Sequence, residues 1–374
     1  MVESMNKTDG KKRLAILLPS LVVGGSTILV LNLLNLFVKD DDFEVRLFVF
    51  FDEKEAKYGQ LINDNNDKIL FLGKRKKIDF KFLRRLRKGL DEFRPDIVST
   101  HLTSIAHLSM AYLMRRFPFC VFHTVHSLPS KDLPALYRLL VRKRIKKRQI
   151  QFIGVSKKIF DETIRVYKLR NDECAFVPNG IFLPSDYDPT PIAERCYDFL
   201  CVGRFSKCKN FPDLIRAFKI VNDGVEKHSL CLCGYGEEEE KIKALIYELG
   251  LQKYVLLFGK ETPVAHLYER SKIFCLFSSY EGNPITILEA ESFGLPIIAT
   301  DVGGVSETVI NNVNGILIQK SGDIEAESNA MKRLIDSKEL AQRMSLESYA
   351  IAKNHSIEST KEKYKAVFLK RGKD

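Results

Sequence analysis

The sequence predicts an α/β protein built from two doubly wound units, each a parallel sheet with helices on both faces. Three observations predict it. A chain of 374 residues exceeds what one ordinary core accommodates. Short apolar runs alternate with helical patterns along the chain. A stretch dense in turn formers, Pro178-Asn179-Gly180 and then Leu183-Pro184-Ser185-Asp186-Tyr187-Asp188-Pro189-Thr190-Pro191, interrupts that alternation near the middle and reads as a linker.

In the first unit, strands are expected at 13–18, 44–50, 68–72, 96–100, 119–125, 151–155 and 174–177. The first needs separate argument. Leu14 to Val38 carries no charged residue and follows Lys11-Lys12-Arg13, which is compatible with a signal peptide or a membrane span. Pro19, Ser20, Gly24, Gly25, Ser26, Asn32 and Asn35 break the run into pieces. We read it as a buried strand over 13–18, a loop over 19–25 and a helix over 26–38, with Ser26 or Thr27 as N-cap. In the second unit, strands are expected at 198–203, 229–233, 254–258, 273–277, 296–300 and 315–318. A final helix over about 358–369 lies beyond the last strand. There is no internal repeat and no low-complexity tract.

A hydrophobic content of 45% fits a globular protein. The net charge of +11 implies an acidic partner: nucleic acid, an anionic membrane or a phosphorylated substrate. The eight cysteines include no CxxC pair, and Cys231 and Cys233 alternate on a strand, so their side chains point to opposite faces. They read as reduced thiols of a cytosolic protein without a structural metal. Asp40-Asp41-Asp42 and Asp186-Tyr187-Asp188 read as solvated turns, so no metal is expected.

The most informative segment is Glu281-Gly282-Asn283-Pro284-Ile285-Thr286-Ile287-Leu288-Glu289, with seven residues between its two glutamates. It follows a strand-like run and passes through Gly, Asn and Pro into a helical pattern. One carboxylate therefore sits in the loop and the other on the helix, with unpaired helix amides between them. Carboxylates accept from sugar hydroxyls and helix amides donate to phosphates, so the pattern suits a ligand that is both. Gly294, Pro296 and then Asp301-Val302-Gly303-Gly304-Val305-Ser306-Glu307 follow, a second strand ending in a Gly-rich turn. Earlier, Val202-Gly203-Arg204-Phe205-Ser206-Lys207-Cys208-Lys209-Asn210 leaves the first strand of the second unit. Ligands of open α/β sheets bind at such strand ends. Arg204 and Lys209 thus lie where a diphosphate could be clamped, since a guanidinium grips phosphate bidentately and an ammonium supplies a point charge.

Gly24 and Gly25 sit in the first βα loop, where glycine permits close backbone approach; a tight turn explains them equally well. The GxGxxG fingerprint is absent, and Gly234-Tyr235-Gly236 is followed by four glutamates. His126 ends an apolar strand, and alternation places His123 on the other face, which argues against a shared metal. His101 also ends a strand and is a candidate for the acceptor side. Two basic clusters, Lys74-Arg75-Lys76-Lys77 (leading into a helix with Lys81, Arg84, Arg85 and Lys88) and Arg142 to Arg148, read either as solvated faces or as contacts with anionic lipid. Nucleic acid is not expected, since no helix-turn-helix, zinc or RNP signature accompanies the charge.

Taken together, the Glu281-to-Glu307 segment and the Arg204/Lys209 loop resemble the nucleotide-sugar site of family 4 glycosyltransferases, retaining enzymes of the GT-B fold. The resemblance covers most of the C-terminal half with specific motifs and the N-terminal half loosely. It implies an acceptor-binding domain over 1–185, a nucleotide-sugar domain over 186–354, and a terminal helix over 355–374 crossing back to the first domain. It further implies that Arg204 and Lys209 neutralise the leaving diphosphate, that Glu281 and His126 hold donor-sugar hydroxyls, and that Glu289 holds the ribose. Gly24, Gly25, Gly234, Gly236, Gly259, Gly282, Asn283, Pro284, Ile285 and Thr286 would line the donor site. The expected activity is hexosyltransferase-type, without cofactor or metal. It moves a sugar, by default from a uridine nucleotide, to a glycan or lipid-linked saccharide in cell-surface polysaccharide or lipopolysaccharide synthesis. The expected location is cytoplasmic, peripheral on the inner membrane face. Alternatives are a non-catalytic binding subunit on this fold or a nucleotide-sugar epimerase.

Overall fold

The structure, a computed structural model, describes residues 10–22, 24–52, 59–75, 79–113, 115–184, 187–259 and 262–370. The first sheet comprises β1 (Lys12–Leu18), β2 (Phe43–Val49), β3 (Ile69–Phe71), β4 (Ile97–His101), β5 (Cys120–Val125), β6 (Ile150–Gly154) and β7 (Cys174–Phe176). Their order is β3-β2-β1-β4-β5-β6-β7. The second comprises β8 (Tyr197–Val202), β9 (Leu230–Cys233), β10 (Val255–Phe258), β11 (Ser271–Leu276), β12 (Ile297–Thr300) and β13 (Gly315–Ile318). It runs β10-β9-β8-β11-β12-β13. Every neighbouring pair is parallel. The strand order reverses between β1 and β4 in one sheet and between β8 and β11 in the other. These are the two places where the fold opens a crevice for a ligand.

The strands are apolar because both faces are covered. One cluster, containing Phe199, Phe218, Leu232, Phe274, Ile298 and Met331, fills the second unit. Two clusters cover the faces of the first sheet. Ile285 and Leu288, from the second unit's sequence, are buried in one of these first-sheet clusters beside Leu14 and Leu29.

Four sequence expectations need correction. The helix Gly25–Val38 begins one residue early, with Gly24 at the N-cap and no side-chain cap bond, so neither Ser26 nor Thr27 caps it. Asp40 is not solvated: its carboxylate pairs with Lys361 and Lys365 of the terminal helix Ile357–Lys370. Burial alone would raise its pKa, but these two ammonium groups and the Asp42 amide hold it at about 2. The same helix buries Tyr364 and Phe368 against Phe37 and Phe122, tying it to the first sheet. Lys74 is withdrawn from any surface cluster, its ammonium lying 4.6 Å from the Phe51 ring centroid. Arg144 is likewise buried, donating to the carbonyls of Arg115 and Tyr112 and to Gln149. Lys76, Lys77 and Asp186 lie outside the described residues.

Glu291, on the helix Ile285–Ser292, is fully buried. Burial pushes its carboxyl up to about 8, although Asn314 Nδ2 donates to Oε1 at 3.0 Å. The folded state therefore holds a proton that the unfolded chain releases near the ordinary carboxyl pKa. Its contribution to stability is complete below pH about 4 and is lost as pH rises through about 8, at about 1.4 kcal/mol per unit at most. The melting temperature of wild type is expected to fall across that window more steeply than that of Glu291→Gln. Parallel melting curves for the two proteins would contradict this.

Candidate functional site

The loops after β8 and β11 meet at the switch point of the second sheet. Lys209, in a single turn over Lys207–Lys209, donates from Nζ to Glu281 Oε1 at 2.6 Å. Ser278 Oγ donates to the same oxygen at 2.6 Å. The two charged side chains are only 18% and 11% exposed, so neither is bathed in solvent. Burial disfavours the Lys209 ammonium, yet the adjacent Glu281 carboxylate more than offsets this and raises its pKa. Arg204 is more open and lies 3.3 Å from Glu237, one of the four glutamates after Gly236. The sequence thus placed Lys209 and Glu281 in one site, but not as direct partners.

Glu289 lies one turn into the helix Ile285–Ser292, and its Oε2 accepts from Tyr268 OH at 2.9 Å. Tyr268 was missed in the sequence, because nothing marks a core tyrosine as a carboxylate's partner. Asn283 Oδ1 and Thr286 Oγ1, at the helix entrance, are buried without a hydrogen-bond partner among the described residues. Buried polar atoms normally find partners, and these two have none among the described residues. Pro284 is the N-cap residue of this helix and has no N–H to offer.

The first unit closes over these loops. A Cβ on Gly282 would stand 2.0 Å from the His126 carbonyl oxygen, so only glycine allows the β5 end to approach this closely. Gly303, at φ +57, is equally constrained, since its Cβ would stand 1.7 Å from the Glu281 carbonyl oxygen. Gly304 N donates to Gly282 O at 2.8 Å, locking the two loops together. Asn179 Nδ2 donates across the cleft to Asn283 O at 2.8 Å. Glu307 accepts from the amides of Lys157 and Lys158 at 2.6 and 2.8 Å, placing a carboxylate on the N-terminus of the helix Lys157–Tyr167. Lys131 Nζ lies 3.7 Å from the Tyr280 ring centroid.

At the first sheet's switch point, Gly24 and Gly25 follow β1, and a Cβ on Gly25 would stand 3.5 Å from Ile285 Cδ1, in ordinary van der Waals contact. His126, just past β5, is brought beside His101 at the end of β4, with His126 Nε2 and His101 Nδ1 2.9 Å apart. Burial, with the neighbouring His123, lowers the His126 pKa to about 4 even though Asp132 pulls the other way. His101 is held well below the ordinary histidine range, by burial first and then by the two other histidines. His123 belongs to a separate set, bonded to Asp132 at 3.0 Å and Thr100 at 3.0 Å. Of the remaining positions, Gly234 and Gly236 pack on the Gly203 and Phe205 backbone beside Arg204. Gly259 follows β10, two strands from β8, with open space where a Cβ would point. Among the described residues, no group of three or more His, Cys, Asp or Glu is placed to hold a metal ion.

Comparisons agree with this architecture. The family described as "Glycosyltransferase Family 4" matches residues 23–183, and "Glycosyl transferases group 1" matches residues 186–350. An uncharacterized glycosyltransferase of Haemophilus influenzae is 32% identical over 169 residues, 45% of this chain and 48% of that protein. The match thus spans about half of that relative. The Escherichia coli UDP-Gal:alpha-D-GlcNAc-diphosphoundecaprenol alpha-1,3-galactosyltransferase is 29% identical over 284 residues, 70% of this chain and 72% of that enzyme. A crystal structure of Anabaena HepE in complex with UDP-glucose superposes with a TM-score of 0.81 at 16% identity, over 96% of this chain and 99% of that one, a likeness of fold. Matched across both units, the chain belongs to the family 4 glycosyltransferases and has their GT-B fold.

Proposed function

We propose that the protein is a retaining hexosyltransferase that moves a sugar from a UDP-linked donor to a saccharide or lipid-linked saccharide. The observation that carries this is the meeting of Lys209, Glu281 and the His126 strand end across one interdomain cleft. Lys209 has three N–H donors and spends one on Glu281, which leaves two for a diphosphate. Arg204 would take the outer phosphate oxygens, and the Ile285 and Thr286 amides would add helix-terminal donors. Glu281 and His126 would hold donor-sugar hydroxyls, and Glu289, set by Tyr268, would hold the ribose. Gly24, Gly25, Gly234, Gly236 and Gly259 would let backbone approach the donor.

In the reaction, the bond between the sugar's anomeric carbon and the diphosphate oxygen breaks. The cations stabilise the negative charge gathering on that oxygen. The acceptor hydroxyl bonds to the anomeric carbon from the same face and gives its proton to the leaving diphosphate. The E. coli relative's acceptor, a diphosphoundecaprenol-linked sugar, supports a lipid-linked acceptor in surface polysaccharide synthesis here.

The N-terminal unit would meet the inner face of an anionic membrane. Phe80 and Leu139 are 74% and 63% exposed, with Lys81 and Arg84 near the first and Arg142 and Lys143 near the second. Among the described residues, no helix is long and apolar enough to cross a membrane. Sedimentation with anionic vesicles but not zwitterionic ones is expected; equal sedimentation with both would contradict an electrostatic contact.

A panel of nucleotide-sugars in the presence of EDTA tests the activity. Release of UDP with the anomeric configuration kept in the product is expected. Nucleotide binding without turnover of any donor would favour a binding subunit. Conversion of donor to an isomeric donor without acceptor would favour an epimerase.

A further inference from the structure

His101 is fully buried at the end of β4, and its ring touches two polar side chains on opposite edges. Its Nδ1 lies 2.9 Å from His126 Nε2, and its Nε2 lies 3.2 Å from Ser99 Oγ. The rings are tilted by 33° with centroids 5.2 Å apart, so the contact runs through the nitrogens and not through stacking. His126 Nε2 is therefore committed to the interior, and Nδ1 is the ring nitrogen left to address the cleft. Both rings are kept neutral by their surroundings. Two neutral imidazoles that meet nitrogen to nitrogen share one proton between them.

We propose that His101 is a positioning residue for His126, and that the chain Ser99–His101–His126 forces the two histidines into the same tautomer. The reason is bookkeeping of protons. If His101 Nδ1–H donates, His126 Nε2 accepts and its own proton sits on Nδ1; both rings are then Nδ1–H, and Ser99 donates to His101 Nε2. If His126 Nε2–H donates instead, His101 accepts on Nδ1 and carries its proton on Nε2, which donates to Ser99; both rings are then Nε2–H. Mixed tautomers would leave the contact with two protons or none. The chain thus presents a neutral, oriented His126 Nδ1 to the cleft, as donor in one state and acceptor in the other, switchable only by moving every proton together. Ser99, buried and able both to donate and to accept, serves either state.

This rests on reading His126 as the partner of a donor-sugar hydroxyl. The protein has seven histidines, few enough for long-range proton–nitrogen correlation spectra of the labelled chain. Signals are assigned by their loss in His101→Leu and His126→Gln. Wild type is expected to show His101 and His126 as one tautomer type. His101→Leu is expected to return His126 to a tautomer mixture and to lower kcat for hydrolysis of the best UDP-sugar about tenfold or more, with KM nearly unchanged. Ser99→Ala should move the spectrum the same way by less. UDP affinity should stay within about twofold in both variants. Opposite tautomers in wild type, or a His126 spectrum or kcat untouched by His101→Leu, would overturn the proposal. Wild-type turnover in His126→Gln would overturn the donor reading beneath it, and the proposal with it, so the two failures are told apart.

Discussion

Replacing Lys209 with alanine is expected to lower turnover of the donor about 100- to 1,000-fold, the largest loss of any single side chain in the site. The ammonium is held partly buried in the cleft, 2.6 Å from Glu281. Charge developing on a leaving diphosphate is worth most to a cation that water reaches poorly. Arg204, at 58% exposure, is screened and contributes less. Lys209→Ala also leaves Glu281 with Ser278 as its remaining partner at Oε1, so the folded protein is expected to lose about 1–3 kcal/mol. Adding Glu281→Gln removes the orphaned charge. The double variant should therefore regain much of the stability and none of the activity. Thermal melts and donor hydrolysis on the four members of this cycle separate the two roles. Lys209→Ala within tenfold of wild-type turnover would contradict the assignment.

Gly282→Ala is expected to cost about 100-fold or more in kcat/KM, though it removes no functional group. The new methyl would stand 2.0 Å from the His126 carbonyl oxygen and 2.7 Å from its carbon. Both are main-chain atoms at a strand end and cannot swing aside as a flexible side chain would. The cleft must open, or the loop carrying Glu281 must shift. Either way Glu281 and His126 lose their common ligand position, while the cores of both units stay intact. UDP should still bind the second unit, and small-angle scattering should report a wider particle. Wild-type kcat/KM in Gly282→Ala would show that the two units need not approach this closely during turnover.

The sequence revealed the sheets more fully than the side-chain partnerships. Buried parallel strands are short unbroken apolar runs, so β8 or β12 could be read without knowing its neighbours. The loops of the site were legible for the same reason: Arg204, Lys209 and Glu281 leave the ends of such runs. Pairing was not legible. Lys209 and Glu281 are 72 positions apart, and what joins them is the adjacency of β8 and β11 at the switch point. His101 and His126 meet because β4 and β5 are in register, with His101 opposite Thr124. Charge runs misled in a specific way. Asp40, Lys74 and Arg144 each belong to a run whose composition suggests solvent, yet each is the member turned inward to a fixed partner. Sequence adjacency shows that a run is charged, not which residue in it is buried.

The central claim is that cations of the β8 loop hold the donor's diphosphate. Calorimetric titration of wild type and Arg204→Ala with UDP and with uridine, all in EDTA, tests it most directly. Wild type should bind UDP at least about tenfold more tightly than uridine, as charge-assisted bonds to phosphate require, and Arg204→Ala should narrow that gap. Equal affinity of wild type for UDP and uridine, or a gap unchanged in Arg204→Ala, would contradict it.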